Sequence, residues 1–396
     1  MSSFSGHSSI GLTGLISIEQ GLFLKNSSSS SDTYSCVVLG GGIFGCLTAL
    51  QLAESKIGKI LLLDIHKIGS GSSGASGAMI RCYHESTELL DLAVASAKDW
   101  KNDPFLRKFF RIRPSLWIDK LSCSSEIVST ANGIQQHWDD FKFSVLDVPQ
   151  LRKLDPLAHW NLDEFGLIEL GSGYIETKPL FIALKSLLLN KGVIICEDIL
   201  SEIVSLGQNK CIIKIDNKII HTNLIISAVG AWTGKLLKSL ALESEFPRIR
   251  TKAIQVNGIN PCPPAIRNFC FVDAVYDLYG RQQDLGNGGF CGTSVFDWDI
   301  EPECSESFNS KKSSFLLWQK VIENRWPSIV FHFNEEISKC TQRSFDGFLP
   351  TGVGFVQQSQ SAPRLIVTAG WSGSGFKVAP SIAKQVTTTA KLILQS

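Results

Sequence analysis

Residues 35–64 read SCVVLGGGIFGCLTALQLAESKIGKILLLD, and that stretch leaves the chain few ways to fold. It opens with an apolar run, Cys36-Val37-Val38-Leu39, with the length and composition of a buried parallel strand. Gly40, Gly42 and Gly45 follow at G-x-G-x-x-G spacing, and the next segment puts Cys46, Ala49, Leu50 and Ala53 on one helical face. A second apolar run, Ile60 to Leu63, ends in Asp64. Strand, glycine turn, helix, strand and acid, in that order, is the context in which such glycines bind a dinucleotide. Gly40 permits the turn out of the strand. Gly42 has no Cβ to keep a pyrophosphate off the backbone, and Gly45 lets the helix pack close. The helix start adds free N–H groups and a positive dipole end. Asp64, nineteen residues after Gly45, is placed to accept hydrogen bonds from ribose hydroxyls. The spacing alone says little: Gly69, Gly71 and Gly74 share it without a strand-to-helix context.

Bulk properties narrow the class. A length of 396 residues suggests about two domains. Lys+Arg 38 against Asp+Glu 37 gives no basic surface for nucleic acid or an anionic membrane. No apolar run approaches the roughly 18 residues of a membrane helix. Eleven cysteines are scattered without a C-x-x-C or a Cys/His cluster, so we read them as reduced core residues of a cytoplasmic protein with no metal. Residues 1–33, with the Ser27 to Ser31 tract, read as a disordered extension rather than a signal segment.

Further along, Gly69 to Arg81 (GSGSSGASGAMIR) is too rich in Gly and Ser for a helix or strand interior. It reads as a loop laid against a flat ligand. Glu85 to Trp100 and Tyr174 to Asn190 carry helical periodicity. Ile212 to Ile215 and Lys218 to His221 suggest a hairpin around Asp216-Asn217. Short apolar pieces in 113–151 and 245–335 suggest a different sheet. The strand Leu365 to Ala369 then leads into Gly370-Trp371-Ser372-Gly373-Ser374-Gly375-Phe376-Lys377. A closing helix follows from about Ser381, with Pro380 near its first turn.

The opening fingerprint, the GASGAMIR loop, the Gly230-Ala231-Trp232 turn and the terminal AGWSGSGFKVAPSIAK occur in that order. Together they resemble the flavin-dependent amine and amino-acid oxidoreductases of the D-amino-acid oxidase superfamily, most of all its sarcosine oxidase and glycine oxidase branch. The resemblance implies a mixed α/β fold: an FAD/NAD(P)-binding Rossmann-like domain interleaved with an antiparallel-sheet substrate domain. The first is expected from 34–112, 152–236 and 336–396, the second from 113–151 and 237–335. It also implies FAD as cofactor. Gly40, Gly42, Gly45, Asp64, Ala75, Ser76, Met79, Gly230, Trp232, Gly373, Ser374, Gly375, Phe376 and Lys377 would line its site. Arg81 and Lys377 would hold a substrate carboxylate, with Tyr279 on the substrate side.

The implied reaction is oxidation of a C–N bond in an amino acid or N-alkyl amino acid, with hydride passing to flavin N5 and an imine as product. Three alternatives stand beside it: a flavin dehydrogenase for a 2-hydroxy acid or biosynthetic intermediate, an NAD-dependent dehydrogenase, and an FAD-binding scaffold of reduced activity. Two positions depart from the family. Phe290 stands where those oxidases carry an oxygen-activating lysine, and Ser374 where many have histidine. Slow reoxidation by O₂ follows, unless Arg281 supplies the missing cation. Cys340 is a poor match to the cysteine that binds flavin covalently in some members.

Overall fold

The computed structural model describes residues 33–84, 86–283, 288–294, 298–302 and 311–395. The extension assigned to residues 1–33 lies outside them except for Thr33, which pairs with His221. Glu85, the expected start of a helix, also lies outside them; that helix is described as Thr87–Asn102, capped by the Ser86 side chain.

A six-stranded sheet forms the base. Its order is Ile194–Cys196, Ile60–Leu63, Cys36–Leu39, Ile225–Ser227, Leu365–Ala369, Phe355–Gln358, all parallel but the last. The continuous apolar runs explain the parallel pairing, since both faces of these strands are covered. The Ile43–Glu54 helix packs on one side together with the closing helix. Parallel strands all end on one edge, so Gly40, Asp64, Ala228 and Gly370 come together there.

The second large sheet has eight strands. Its order is Gln342–Phe348, Arg250–Ile259, Gly289–Thr293, Leu278–Gln282, Cys270–Asp273, Ser115–Lys120, Glu164–Glu169, Phe143–Leu146. The sheets do not coincide with the expected boundaries at 152 and 336. Glu164–Glu169 and Gln342–Phe348 hydrogen-bond into this second sheet. Only the Cys270–Asp273 and Ser115–Lys120 pair in it is parallel. A buried triad helps hold it: Arg325 pairs with Glu164 at 2.8 Å and Asp273 at 2.7 Å, all three side chains fully enclosed. The expected hairpin is present as Cys211–Ile215 and Lys218–Thr222, with Asp216 left-handed at the turn.

Two local expectations are corrected. The closing helix starts at Gly375, not near Ser381, so Pro380 lies inside it. The Gly69 to Arg81 segment is not wholly irregular: Ser72–Ala75 form one helical turn and Met79–Ile80 a short strand. A Cβ on Gly74 would stand 1.9 Å from the Gly69 carbonyl oxygen, just as one on Gly45 would stand 1.8 Å from that of Gly40. The repeated spacing therefore has a repeated physical cause: a turn folds back onto the start of a helix.

The ten described cysteines are free, and all but Cys123 and Cys340 are buried. No described helix is long and apolar enough to cross a membrane.

Candidate active site

The cavity between the parallel-sheet edge and the second sheet has a volume of about 800 Å³, within the range of small-molecule sites. Strand register builds its roof. Val256, Gly292, Tyr279, Val272 and Trp117 are successive cross-strand neighbours over five strands. Side chains in such a row share one face, and all but Gly292 line the cavity. Gly292 is empty because the Tyr279 ring lies over it: a Cβ there would be 2.5 Å from Tyr279 Cζ.

At the nucleotide end, Gly40 has φ +100, and a Cβ would strike the Ala228 carbonyl oxygen at 2.4 Å. Gly42 would meet only the Ser73 hydroxyl, so its backbone is open to the cavity. Gly230 and Gly373 would meet nothing within 4 Å. Asp64 accepts from the Gly41 N–H through Oδ2 and from the His66 N–H at 2.7 Å through Oδ1, which leaves one lone pair on each oxygen. Burial raises its pKa against those two bonds. This open glycine cradle, a fixed acid and a helix start fit the ADP portion of a dinucleotide.

Every site residue named from the sequence lines this cavity except Gly45, which packs the helix on Gly40 as expected. Arg81 lies at the far end, 8% exposed, with its guanidinium 4.7 Å from the Trp117 ring centroid. It donates to the Tyr83 carbonyl. Lys377 is in the first turn of the closing helix. Burial, and then the charge of Arg81, push its pKa well below the usual lysine value. Burial raises the Tyr279 phenol above its ordinary range.

Several groups in the cavity wall or behind it were not read from the sequence. Glu169 accepts from the Cys82 N–H at 2.8 Å and the Tyr83 N–H at 3.1 Å, fixing the backbone that carries Arg81. Burial raises its pKa, while those N–H groups and Arg81 oppose the rise. Its signal was an acid inside the apolar run EFGLIEL. Asp346 lines the cavity and accepts from Gly373 N–H at 3.0 Å and Gly347 N–H at 2.9 Å; burial pushes its pKa up to about 6. Lys252, opposite Asp346 in register and buried, also lines the cavity and stacks on Trp298 and Phe348. His84 lines it beside Arg81 and Lys377.

Phe290 and Arg281 do not line it. Phe290 lies against Gly77. Arg281 is turned onto the Gly77 carbonyl at 2.9 Å and over the rings of Tyr174 and Phe290. The cation on this stretch of roof is Lys252 instead. Cys340 is also outside the lining, with its Cβ facing Gly258.

A glycine turn and acid at the edge of a parallel sheet, roofed by a second sheet, with Arg81 after the Met79–Ile80 strand and Lys377 on the closing helix, define a dinucleotide-cofactor oxidoreductase. Residues 35–389 match the family described as FAD dependent oxidoreductase, and the chain belongs to that family. It is an enzyme family that works through FAD, so FAD is the cofactor this cradle takes. Among curated relatives, a putative sarcosine oxidase of Caenorhabditis elegans is 26% identical over 373 residues, 89% of this chain and 92% of that one. A 4-methylaminobutanoate oxidase (formaldehyde-forming) of Paenarthrobacter nicotinovorans is 23% identical; the match covers 88% of this chain but only 43% of that longer protein. Among solved structures, L-proline dehydrogenase from P. horikoshii superposes with TM-score 0.75 at 18% identity, covering 92% of this chain and 94% of that one. Glycine oxidase from Geobacillus kaustophilus gives 0.71 at 14% identity, covering 91% and 95%. At these identities the structures establish a shared fold.

Proposed function

We propose that the protein oxidises the C–N bond of an amino acid or N-alkyl amino acid and binds that substrate through its carboxylate. The observation that carries this reading is that two buried basic residues, Arg81 and Lys377, line the cavity close enough for the charge of one to lower the pKa of the other. Substrates of this kind appear in the names of a sarcosine oxidase and a 4-methylaminobutanoate oxidase to which the chain is similar.

The chemistry that bound FAD supplies is two-electron acceptance from the α C–H bond of an amine, which leaves an imine. This chain's residues do the rest. Gly40, Gly42 and Asp64 hold the adenosine diphosphate portion, with Ala75, Ser76 and Met79 along the next stretch of wall. Gly373 to Phe376 present the start of a 21-residue helix, whose N–H groups favour negative charge. Arg81 offers a planar fork for a carboxylate, and its geometry is set by Trp117, the Tyr83 carbonyl and Glu169. Lys377, whose depressed pKa favours the neutral amine, is a place for the proton that a substrate ammonium must lose. Once protonated, its Nζ pairs with the carboxylate. Trp117, Val272 and Tyr279 roof the site and keep water from it.

The test is an anaerobic screen of the holoenzyme for flavin bleaching by amino acids of both hands, N-methyl amino acids and 2-hydroxy acids. Bleaching by an amine-bearing acid is expected. Bleaching by hydroxy acids alone, or by none, overturns the reading. In Arg81→Ala and Lys377→Ala the loss in kcat/KM should amount to about 2–4 kcal/mol each, the scale for unpairing a bound charge.

A further inference from the structure

His84 is more than nine-tenths buried and lines the cavity beside Arg81 and Lys377, and its Nε2 is enclosed with no hydrogen-bond partner among the described residues. A buried imidazole in a folded protein is ordinarily bonded to a carbonyl, carboxylate or water. Nε2 is sealed off by protein, whereas Nδ1 is not enclosed, so an N–H on Nδ1 is the one that a ligand in the cavity can satisfy. Burial first, then the charge of Arg81 and that of Lys377 when protonated, lower the pKa of the ring and favour its uncharged form. An uncharged imidazole has one N–H to donate, and here Nδ1 is the ring nitrogen open to the cavity. The group that satisfies it must also be attracted to Arg81 and Lys377, so it is an anion with several acceptor lone pairs. We propose that His84 is the third donor of the carboxylate seat, its ring N–H bonding a carboxylate oxygen of the substrate held by Arg81 and Lys377. This rests on the substrate class proposed above and adds a recognition residue to it.

The arrangement makes the seat selective for charge. A carboxylate oxygen can take the His84 N–H while its partner oxygen takes the guanidinium fork. A carboxamide of the same size turns at least one N–H toward three donors.

The test uses FAD-loaded enzyme with propionate and propionamide as probes, read by calorimetry, so no turnover is needed. Wild type should bind propionate more tightly than propionamide. His84→Phe should lose about 10- to 100-fold in propionate affinity, the worth of one hydrogen bond to a charged group, with propionamide unchanged. His84→Gln, which keeps a donor, should restore part of the loss. Wild-type enzyme labelled with ¹⁵N-histidine gives a reading that needs no variant: one histidine resonance should shift on adding propionate and stay put with propionamide. No moving resonance, or equal losses for both probes in His84→Phe, overturns the proposal. A preference for propionate that Arg81→Ala abolishes but His84→Phe retains removes His84 alone. A wild type that does not prefer propionate removes the carboxylate reading and His84 with it.

Discussion

Asp346 shows at the scale of one residue how the cavity taxes the fold. Its carboxyl titrates at about 6 in place of the ordinary 3.8, because burial disfavours the anion more than the Gly347 and Gly373 N–H groups and Lys252 favour it. Between those two values the folded chain keeps a proton that the unfolded chain has released. Stability from this group therefore falls as pH rises from about 4 to about 6 and stays reduced above that. Asp346→Asn removes the titration and keeps an oxygen for one of the two N–H donors, which bond different oxygens of the carboxyl. Relative to wild type, the variant should gain about 2 kcal/mol between pH 4 and pH 7, at roughly 1.4 kcal/mol per pKa unit with some relief from the open cavity. Denaturant titrations at the two pH values measure it; a difference that does not change with pH would show that Asp346 ionises freely. Like His84 and Lys252, and unlike Glu169, whose acid interrupts an apolar run, this residue could not be read from the sequence. Its neighbours are brought together by sheet pairing and by a turn, Gly370 to Ser374, that lies nearly thirty residues further along. Arg81 and Lys377 were legible only because they sit inside motifs whose glycines mark the ligand edge.

The elements of the base sheet were legible because a strand covered on both faces must be an unbroken apolar run, and CVVL, ILLL and LIVTA are such runs. The roof was less so: its strands are half-buried, broken by glycines that make room for Tyr279 and Cys340, and paired across long separations. The closing helix was misjudged at its start, and the cause is one hydrogen bond. Pro380 has no N–H to give to the Phe376 carbonyl, which by sequence rules favours a helix that begins near the proline. The carbonyl is instead taken by the indole N–H of Trp100 at 2.9 Å, reaching from the neighbouring helix. That bond lets five helical residues stand before the proline and puts Lys377 on a helix. Trp100→Phe should destabilise the protein by about 1–3 kcal/mol through the unpaired buried carbonyl, beyond any packing loss. In a Pro380→Ala background the carbonyl regains a donor, so the same substitution should cost about 1 kcal/mol less. Strictly additive denaturation energies across the four proteins would refute the link.

At the scale of the whole molecule, the cavity is a seam. Its walls come from the parallel-sheet edge, the Gly69 to Met79 segment, the roof strands and the Gly370 to Lys377 turn. Polar contacts bridge these pieces, Arg281 to the Gly77 carbonyl, Asp346 to the Gly373 N–H and Gln342 to the Gly74 and Ala75 carbonyls, while the one-turn helix Ser72–Ala75 has no buried residue. A cofactor in the cradle would touch all of these walls at once. A ligand that binds only the folded chain adds RT ln(1 + [L]/Kd), about 4 kcal/mol at a thousandfold excess over Kd. Removing FAD should lower Tm accordingly, and re-adding it should restore the original value. Amide exchange should rise in 69–79 and 370–376, where the backbone faces the cavity. It should stay low in Cys36–Leu39 and Leu365–Ala369, which are buried on both faces. Exchange that rises evenly along the chain would mean that the cofactor supports the global fold. An unchanged Tm would mean that the seam closes without it.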